Sequence, residues 1–166
     1  MSNTTLHEKF LESYVVWLAR SNMKRNEKLS LAVAPIIEKD NSLLFIRRKK
    51  GPFKGSLSLP GGKVDVGEKV EDVVKREILE ETNLSIEPTD ILGVYSDPKR
   101  DPRRHKISII FIARVISGKA KAGDDAESVE WLSVNNKKNL AFDHNKILED
   151  YWKWRKAKGT YWSSKN

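Results

Sequence analysis

One segment constrains this chain more than any other, because it predicts a helix whose buried face becomes acidic. It runs from Gly61 to Leu84 and reads GGKVDVGEKVEDVVKREILEETNL. The spacing of its apolar residues predicts a helix from about Lys69 to Thr82. Three valines form the stripe that faces the core, namely Val70, Val73 and Val74. After two further turns of about 3.6 residues each, nearly the same face carries Glu77, Glu80 and Glu81.

These three glutamates are repelled by one another and by the negative end of their own helix. Glu77 and Glu81 are four residues apart, which makes them neighbours on a helix surface. All three also lie at the negative end of the helix dipole, where cations are preferred. A bound divalent cation would offset these penalties, since hard cations such as Mg²⁺ take carboxylate oxygens as ligands. The alternative is a solvated acidic helix end with Lys75 and Arg76 as surface partners.

The same residues resemble the Nudix box, the signature of hydrolases that act on nucleoside diphosphates linked to another group. That pattern is G, five residues, E, seven residues and R-E-U-x-E-E-x-G-U, where U is a bulky aliphatic residue. Asn83 departs from it by replacing a glycine, at a helix end where a left-handed backbone suits Asn best after Gly. The positions that match are Gly62, Glu68, Arg76, Glu77, Ile78, Glu80, Glu81 and Leu84.

The order of the predicted elements indicates a mixed sheet covered by helices. The resemblance implies an α/β/α sandwich in which the box forms a loop–helix–loop, with residues 29–157 as the hydrolase domain. Residues 1–28 are predicted to form a helix and a linker, and residues 158–166 a polar tail with little order. Asp143 is expected to cap a last helix that His144 packs into the fold. Strands are predicted at 29–37, 42–48, 91–95, 107–116 and 129–132, with Lys39-Asp40-Asn41 as a hairpin turn between the first two.

The resemblance implies a role for each charged residue of the box. Metal ions, Mg²⁺ or Mn²⁺ as a substitute, would act as Lewis acids on phosphoryl oxygens and lower the pKa of a bound water. Arg76 is expected to orient a box glutamate, and Glu80 and Glu81 count among the catalytic residues as well as the ligands. The expected metal ligands are Glu68, Glu77, Glu80, Glu81 and the backbone carbonyl of Gly61.

Many members of this family recruit a further acid from outside the box, as a base or as an extra ligand. The loop before Trp131 offers Asp124, Asp125 and Glu127. Counting back from the Glu-Trp pair makes Asp125 the first choice and Glu127 the second. A solvated acidic turn is the alternative interpretation of this loop.

Three stretches outside the box resemble the ADP-ribose pyrophosphatase-like branch of the family. They are FIRRKKGPFKGSLSLPGG, GVYSDPKRDPRRHKISIIFIA, and KAGDDAESVEWL followed by LAFDHNKIL. The first reads closer to GKWALPGG in that branch, so Leu57 replaces a Trp and Ser58 an Ala. Arginines can bind phosphate with two hydrogen bonds, although a basic surface hairpin is the alternative. The candidate substrate-binding residues are Arg47, Arg100, Arg103, Arg104 and His105, of which His105 by itself is better explained as a loop anchor.

These features predict Mg²⁺-dependent hydrolysis of ADP-ribose to AMP and ribose 5-phosphate. Two other activities remain open, namely hydrolysis of nucleoside triphosphates, including oxidised ones, and hydrolysis of a dinucleotide such as NADH. A different class is a non-catalytic ADP-ribose-binding regulator, but the intact box carboxylates count against it. The net charge of +8 suits an anionic nucleotide, and charge alone is weak support for a nucleic-acid partner.

Composition adds expectations about compartment and assembly. The chain has no cysteine, which fits a reducing compartment, and no apolar run approaches the roughly 18 residues of a membrane span. A soluble cytoplasmic protein without a membrane partner is therefore expected. Relatives in the branch are often homodimers, and the aromatic helices near both termini are candidates for such an interface.

Overall fold

The computed structural model describes residues 29–123, 125–133 and 140–165. The predicted N-terminal helix and linker, Asp124 and Asn166 lie outside these ranges. The helices are α1 (Val70–Thr82) and α2 (His144–Ala157). The strands are β1 (Ser30–Lys39), β2 (Ser42–Arg48), β3 (Leu57–Ser58), β4 (Gly62–Lys63), β5 (Leu84–Tyr95), β6 (Lys106–Gly118), β7 (Ala126–Ser133) and β8 (Tyr161–Trp162).

The strands form a mixed sheet, as the order of the predicted elements indicated. Its main path is β3-β2-β1-β6-β5-β8, with β4 paired to β1 and β7 paired to β2. Strands β1 and β6 are parallel, whereas β5 and β6 are antiparallel. Parallel neighbours place the start of β6 beside the start of β1, from Ser30 opposite Lys106 onward. The loop before β6 therefore lies close to the first residues of β1.

Two apolar cores separate the helices and confirm the α/β/α sandwich. Helix α1 buries its apolar stripe against one set of strand residues, and α2 packs into a different set. The α1 core includes Val73, Val74, Ile78, Val33, Leu44 and Phe111. The α2 core includes Ile147, Tyr151, Leu92, Tyr95, Ile36 and Ile110.

The turn between β1 and β2 has the geometry that its sequence predicts. Asp40 and Asn41 both have left-handed backbones, with φ of 50° and 57°. Two consecutive residues with positive φ are typical of the tightest hairpin connections, and Asp and Asn tolerate that conformation. Strand β2 accordingly returns beside β1, with Lys39 opposite Ser42.

Two strands begin earlier than the sequence pattern predicts. Strand β5 starts at Leu84 rather than residue 91, and β7 starts at Ala126 rather than residue 129. The pairing of β5 with β6 shifts register between Pro88 and Asp90. A proline cannot donate to the ladder and is accommodated at such irregularities. Polar residues and this proline hid the first half of β5 from a search for alternating apolar residues.

The segment after α2 is ordered, which makes the expectation of a poorly ordered tail wrong for residues 158–165. Strand β8 pairs in parallel with β5, with Gly93 opposite Tyr161, and Tyr161 is buried. A Cβ on Gly93 would lie 2.1 Å from the carbonyl oxygen of Tyr161, so the close approach requires glycine. Burial of an aromatic ring stabilises a docked strand that is only two residues long.

Neither helix in the described ranges is both long enough and apolar enough to cross a membrane.

Candidate active site

Helix α1 matches its predicted extent closely and ends as expected. It spans Val70–Thr82, and Asn83 follows with a left-handed φ of 57°. The N–H of Asn83 donates to the carbonyl of Leu79, which satisfies one of the last helical acceptors. The last turn contains no basic side chain, so no cation within that turn offsets the negative end of the helix dipole.

The glycine pair before α1 is required by close contacts on both sides. Gly62 lies opposite Val33 in the pairing of β4 with β1. A Cβ on Gly61, whose φ is +146°, would lie 2.2 Å from the carbonyl oxygen of Val33. A Cβ on Gly62 would lie 2.0 Å from the carboxylate of Glu77. The backbone of β1 therefore requires glycine at Gly61, whereas a side chain at Gly62 would displace the carboxylate of Glu77.

Two of the predicted ligands, Glu77 and Glu81, face inward toward this glycine pair. The backbone N–H of Gly61 donates to Oε2 of Glu81 over 2.8 Å. Burial raises the pKa of Glu81 to about 7, although the Gly61 hydrogen bond opposes the shift, and Glu77 adds to it. Burial also raises the pKa of Glu77, against the effect of Arg76. Both carboxylates thus lie where negative charge is costly.

Glu68 and Glu80 lie away from that pair and contact Arg76. One guanidinium nitrogen of Arg76 bonds Glu77 over 2.7 Å and lies 3.4 Å from Glu80, and the other lies 3.2 Å from Glu68. The Glu80 side chain is 59% exposed, so the expected inward stripe of three glutamates is wrong at this position. A seven-residue step drifts about 20° around a straight helix, which helps to turn Glu80 out although Val73 is buried.

The donor set fits a divalent cation, although it is not assembled into a closed cage. In the described part of the chain, no three Asp, Glu or His side chains converge tightly enough to hold a metal ion. Two neighbouring carboxylates with raised pKa values do face one cavity. Oxygen ligands whose charge is poorly compensated are what a hard cation such as Mg²⁺ requires. Members of the family generally use a divalent metal, and these residues are consistent with that use.

The cavity beside Glu77 and Glu81 has a volume of about 370 Å³, within the range of ligand sites. Basic side chains from three parts of the fold share it with the two glutamates. It is lined by Glu77, Glu81, Asp125, Arg48, Lys50, Lys63, Arg100, Arg103, Lys106, Ser108 and Phe142, among others. The cavity therefore combines a carboxylate pair with an excess of positive charge.

Arg48 is the lining residue with the least compensated charge. Its Nε donates to the carbonyl of Pro52 over 3.1 Å, and its guanidinium lies 5.1 Å from the ring centre of Phe142. Within the described ranges no carboxylate forms an ion pair with it. Burial lowers the pKa of Arg48, and Arg103 lowers it further. A half-buried arginine in this state is well placed to bind an anion.

Sequence reasoning selected Arg47 and missed Arg48, its neighbour in β2. Arg47 bonds Glu130 over 2.7 Å and donates to the carbonyl of Gly55, and it does not line the cavity. Consecutive residues of a strand point to opposite faces. Strand β2 is buried on both faces from Leu43 to Ile46, so alternation places Arg47 and Arg48 on opposite faces without showing which of them faces the cavity.

The loop before β6 brings two of its predicted arginines to the cavity, both already paired. Arg100 is buried and bonds Asp143 over 2.6 Å. Arg103 bonds Asp101 over 2.9 Å. Lys106, which sequence reasoning missed, bonds the same oxygen of Asp101 over 2.9 Å. Burial would raise the pKa of Asp101, but its hydrogen bonds from Arg103 and Lys106 lower it well below its usual range.

The other two candidates from this loop, Arg104 and His105, do not line the cavity. Nε2 of His105 lies 2.9 Å from the carbonyl oxygen of Ser96. That contact joins the two ends of the loop, as expected of an anchor. Arg104 is exposed to solvent.

Asp143 precedes α2 but does not cap it through its side chain. The expected capping hydrogen bond is absent, because both carboxylate oxygens of Asp143 accept from Arg100 instead. His144 is buried, as expected of a packing residue, and its Nδ1 accepts a hydrogen bond from the N–H of Leu59 over 3.0 Å. Burial lowers the pKa of His144 to about 3, so the imidazole is neutral.

The two acids proposed from the loop before Trp131 have different positions. Asp125 lines the cavity and lies 3.4 Å from Nζ of Lys50. Its charge contributes to the raised pKa of Glu81. Glu127 is an exposed residue of β7 and does not line the cavity. Of these two residues, only Asp125 is near the carboxylate pair.

Comparisons with known proteins agree with this geometry. The family model for the NUDIX domain matches residues 28–151. The chain is 56% identical over 126 residues to an ADP-ribose pyrophosphatase of Methanocaldococcus jannaschii, covering 76% of this chain and 75% of that protein. It is 30% identical over 131 residues to a putative 8-oxo-dGTP diphosphatase of Bacillus subtilis, covering 69% and 83%.

A solved structure of a MutT NUDIX hydrolase from Burkholderia pseudomallei has the same fold. Its TM-score is 0.68 at 29% identity, with 75% of this chain and 98% of that one covered. The carboxylate pair on α1, the glycine segment and these matches have one explanation. The chain belongs to the NUDIX domain family and is a Nudix hydrolase.

Proposed function

We propose that this enzyme hydrolyses ADP-ribose to AMP and ribose 5-phosphate, with Mg²⁺ as its metal and Mn²⁺ as a substitute. The observation that carries the proposal is the cavity in which Glu77 and Glu81 share a wall with Arg48. A diphosphate needs both a metal site and a cationic contact, and this cavity offers both. The similarity to a protein named ADP-ribose pyrophosphatase, at 56% identity, supports the choice of substrate.

Arg48 is proposed as the main protein contact to the diphosphate. It is half-buried and has no carboxylate partner in the described ranges, so an incoming anion would relieve rather than disrupt its electrostatics. Arg103 and Lys106 already bond Asp101. They contribute to the positive potential and hold the loop in place. The remaining predicted contacts, Arg47, Arg104 and His105, lie outside the cavity. They are proposed to contribute less to substrate binding than Arg48 does.

The box residues are proposed to contribute unequally to metal binding. Glu77 and Glu81 would be the main ligands, together with the backbone carbonyl of Gly61, while Glu68 and Glu80 are auxiliary. Such a cation would neutralise phosphoryl charge and acidify a bound water. Arg76 bonds Glu77 and is proposed to orient it. Gly61 N–H holds Glu81 in its inward position.

Asp125 is proposed to act as the general base. The reaction adds one water across the phosphoanhydride: a phosphorus–oxygen bond forms to the water oxygen, and the bond to the bridging oxygen breaks. The carboxylate of Asp125 would accept a proton from the water. The bridging oxygen leaves as part of the second phosphate, which gives two phosphomonoesters.

A panel of substrates tests the proposal. Purified enzyme with Mg²⁺ is given ADP-ribose, NADH, dGTP and 8-oxo-dGTP, and the products are separated by ion-exchange chromatography. We expect ADP-ribose to have the highest kcat/KM and to give AMP. The similarity to a putative 8-oxo-dGTP diphosphatase makes oxidised triphosphates the second candidate. Higher kcat/KM for 8-oxo-dGTP than for ADP-ribose would reverse the ranking.

We further propose that the enzyme is a cytoplasmic homodimer. Ile91, Val94 and Ile116 are exposed apolar residues on β5 and β6, and contact with a second copy would cover such residues. The absence of cysteine supports a reducing compartment. Gel filtration with light scattering should give twice the mass of one chain. A monomer at micromolar concentration would contradict the assembly.

A further inference from the structure

Two phenylalanines outside the Nudix box adopt a backbone that phenylalanine rarely takes. Phe53, in the loop after β2, has φ of 61°, and Phe142, just before α2, has φ of 58°. Bulky residues with left-handed backbones are strained outliers. Their ring centroids are 4.8 Å apart at an angle of 61°. Phe53 remains 40% exposed, so its ring is not a core residue that would account for the strain.

These rings lie at the junction of two cavities. A second cavity of about 440 Å³ is lined by Phe53, Phe142, Asp97, Lys99 and Lys146, among others. Phe142 and Arg100 line both this cavity and the catalytic cavity that contains Glu77 and Glu81. A ligand longer than a single nucleotide could therefore extend from one cavity into the other past the Phe142 ring.

The charged side chains indicate which part of a substrate each cavity would bind. In the second cavity, Arg100 is bonded to Asp143 over 2.6 Å, and Lys146 to Asp150 over 2.7 Å. These two cations are already neutralised, and the third cation of the lining, Lys99, is exposed to solvent. In the catalytic cavity, Glu81 and Asp101 act on the charge of Arg48 from a distance, but no carboxylate of the described residues forms an ion pair with it. The diphosphate is thus favoured on the side of Arg48, and an uncharged planar group beside the phenylalanines.

We propose that the second cavity is the nucleoside subsite, in which the base of the substrate packs against Phe53 and Phe142. The inference rests on the proposed function, because it concerns which end of ADP-ribose lies where. A nucleobase has a flat face that stacks on aromatic rings, whereas ribose 5-phosphate has none. The AMP half then extends into the second cavity, and the ribose 5-phosphate half remains in the catalytic one.

Phe142 has an additional positioning role in this arrangement. Its ring lies 5.1 Å from the guanidinium of Arg48 and 5.4 Å from Nζ of Lys106. Truncating Phe142 would therefore disturb the diphosphate contact as well as the base. Among the described residues, no cation lies over the ring of Phe53. Phe53 is consequently the cleaner position at which to test the nucleoside subsite.

The test is calorimetric titration of AMP and of ribose 5-phosphate, each with Mg²⁺, into wild type, Phe53→Leu and Phe53→Tyr. We expect Phe53→Leu to weaken the affinity for AMP about tenfold, since stacking on an aromatic ring is lost. The affinity for ribose 5-phosphate should change less than about twofold. Phe53→Tyr, which keeps the ring, should bind AMP as wild type does. With ADP-ribose, kcat/KM of Phe53→Leu should fall about tenfold, mainly through KM.

Val66→Ala is the matched control. Val66 is an exposed apolar residue that lines neither cavity. It should leave both affinities unchanged. The inference is overturned if wild type does not bind AMP, if Phe53→Leu binds AMP as wild type does, if Phe53→Tyr fails to restore binding, or if ribose 5-phosphate is weakened instead. Wild type that binds AMP but does not cleave ADP-ribose would refute the proposed function and leave the subsite standing.

Discussion

At the scale of single residues, the cleft is defined by which charges are already paired. Among the described residues, the N–H of Gly61 is the one donor to Glu81, over 2.8 Å, and burial raises the pKa of Glu81 to about 7. Glu80 instead faces Arg76 and solvent. Arg100, Arg103 and Lys106 are bonded to aspartates, whereas no aspartate in the described part of the chain is bonded to Arg48. Function is therefore expected to depend most on Glu81, Glu77 and Arg48.

Asp125 and Glu127 provide a matched pair for the base. Asp125→Asn should lower kcat roughly a hundredfold, because a general base typically contributes that much or more. Glu127→Gln should change kcat less than about twofold, since its side chain lies outside the cavity. Steady-state kinetics with ADP-ribose and Mg²⁺ measures both. Equal losses in the two variants, or a larger loss in Glu127→Gln, would refute the assignment.

The contact between Gly62 and Glu77 can be tested by adding one methyl group. In Gly62→Ala the new Cβ would lie 2.0 Å from the Glu77 carboxylate, so that carboxylate must move. Displacement of a catalytic group by about 1 Å can reduce turnover roughly a hundredfold. Gly55→Ala is the control, because its φ is also positive but no atom lies within 4 Å of its Cβ. An active Gly62→Ala enzyme would mean that the position of Glu77 is not critical.

At the scale of elements, β3 contains a buried hydroxyl without a partner. Ser58 is buried, and its Oγ accepts or donates no hydrogen bond among the described residues. The resembling branch has alanine here. An unsatisfied buried polar group is destabilising, so Ser58→Ala should raise the free energy of unfolding by about 1 kcal/mol. Urea denaturation measures it, and a loss of similar size would show that the hydroxyl is bonded.

The burial of His144, in the first turn of α2, predicts that the free energy of unfolding depends on pH. Burial lowers the pKa of His144 to about 3, with Arg100, Arg48 and Lys106 acting in the same direction and Asp143 opposing. The unfolded imidazole, with a pKa of about 6.5, binds a proton that the folded one refuses. The stabilising contribution is therefore complete above pH 6.5 and is lost as the pH falls from there toward 3.

His144→Asn isolates this effect, because its side-chain oxygen can still accept from the N–H of Leu59. Between pH 7 and pH 5.5, wild type should lose about 1 kcal/mol more free energy of unfolding than the variant does. Other groups that titrate in this range, including Glu81, are common to both proteins. Urea denaturation at the two pH values gives the difference. Parallel losses in the two proteins would show that His144 is protonated when folded.

At the scale of the whole molecule, the sequence predicted what local spacing determines. Helix α1, the left-handed Asn83 and the turn at Asp40 and Asn41 depend on neighbouring residues only, and all were predicted. Contacts distant in sequence were not. Asp143 has the composition of a cap, but Arg100, 43 residues earlier, takes its carboxylate. The docking of β8 on β5 likewise depends on a tertiary contact at Gly93.

The candidate site follows the same division. The Nudix pattern located the glutamates and the glycines, because their spacing is fixed by one helix and one turn. Arg48, Lys106 and Phe142 come from separate elements, and no local pattern brings them together. The position of Phe142 depends on how the segment before α2 pairs with β3, where Leu140 lies opposite Leu57.

The most direct test compares wild type with Glu81→Gln on ADP-ribose and Mg²⁺, with products quantified by chromatography. The glutamine keeps an acceptor for the N–H of Gly61 and removes a buried charge, so its melting temperature should equal or exceed that of wild type. Wild type should give AMP and ribose 5-phosphate in equal amounts. Glu81→Gln should be at least roughly a hundredfold slower, since metal-dependent charge stabilisation is lost. No AMP from wild type, or a folded Glu81→Gln enzyme of similar rate, would contradict the central claim.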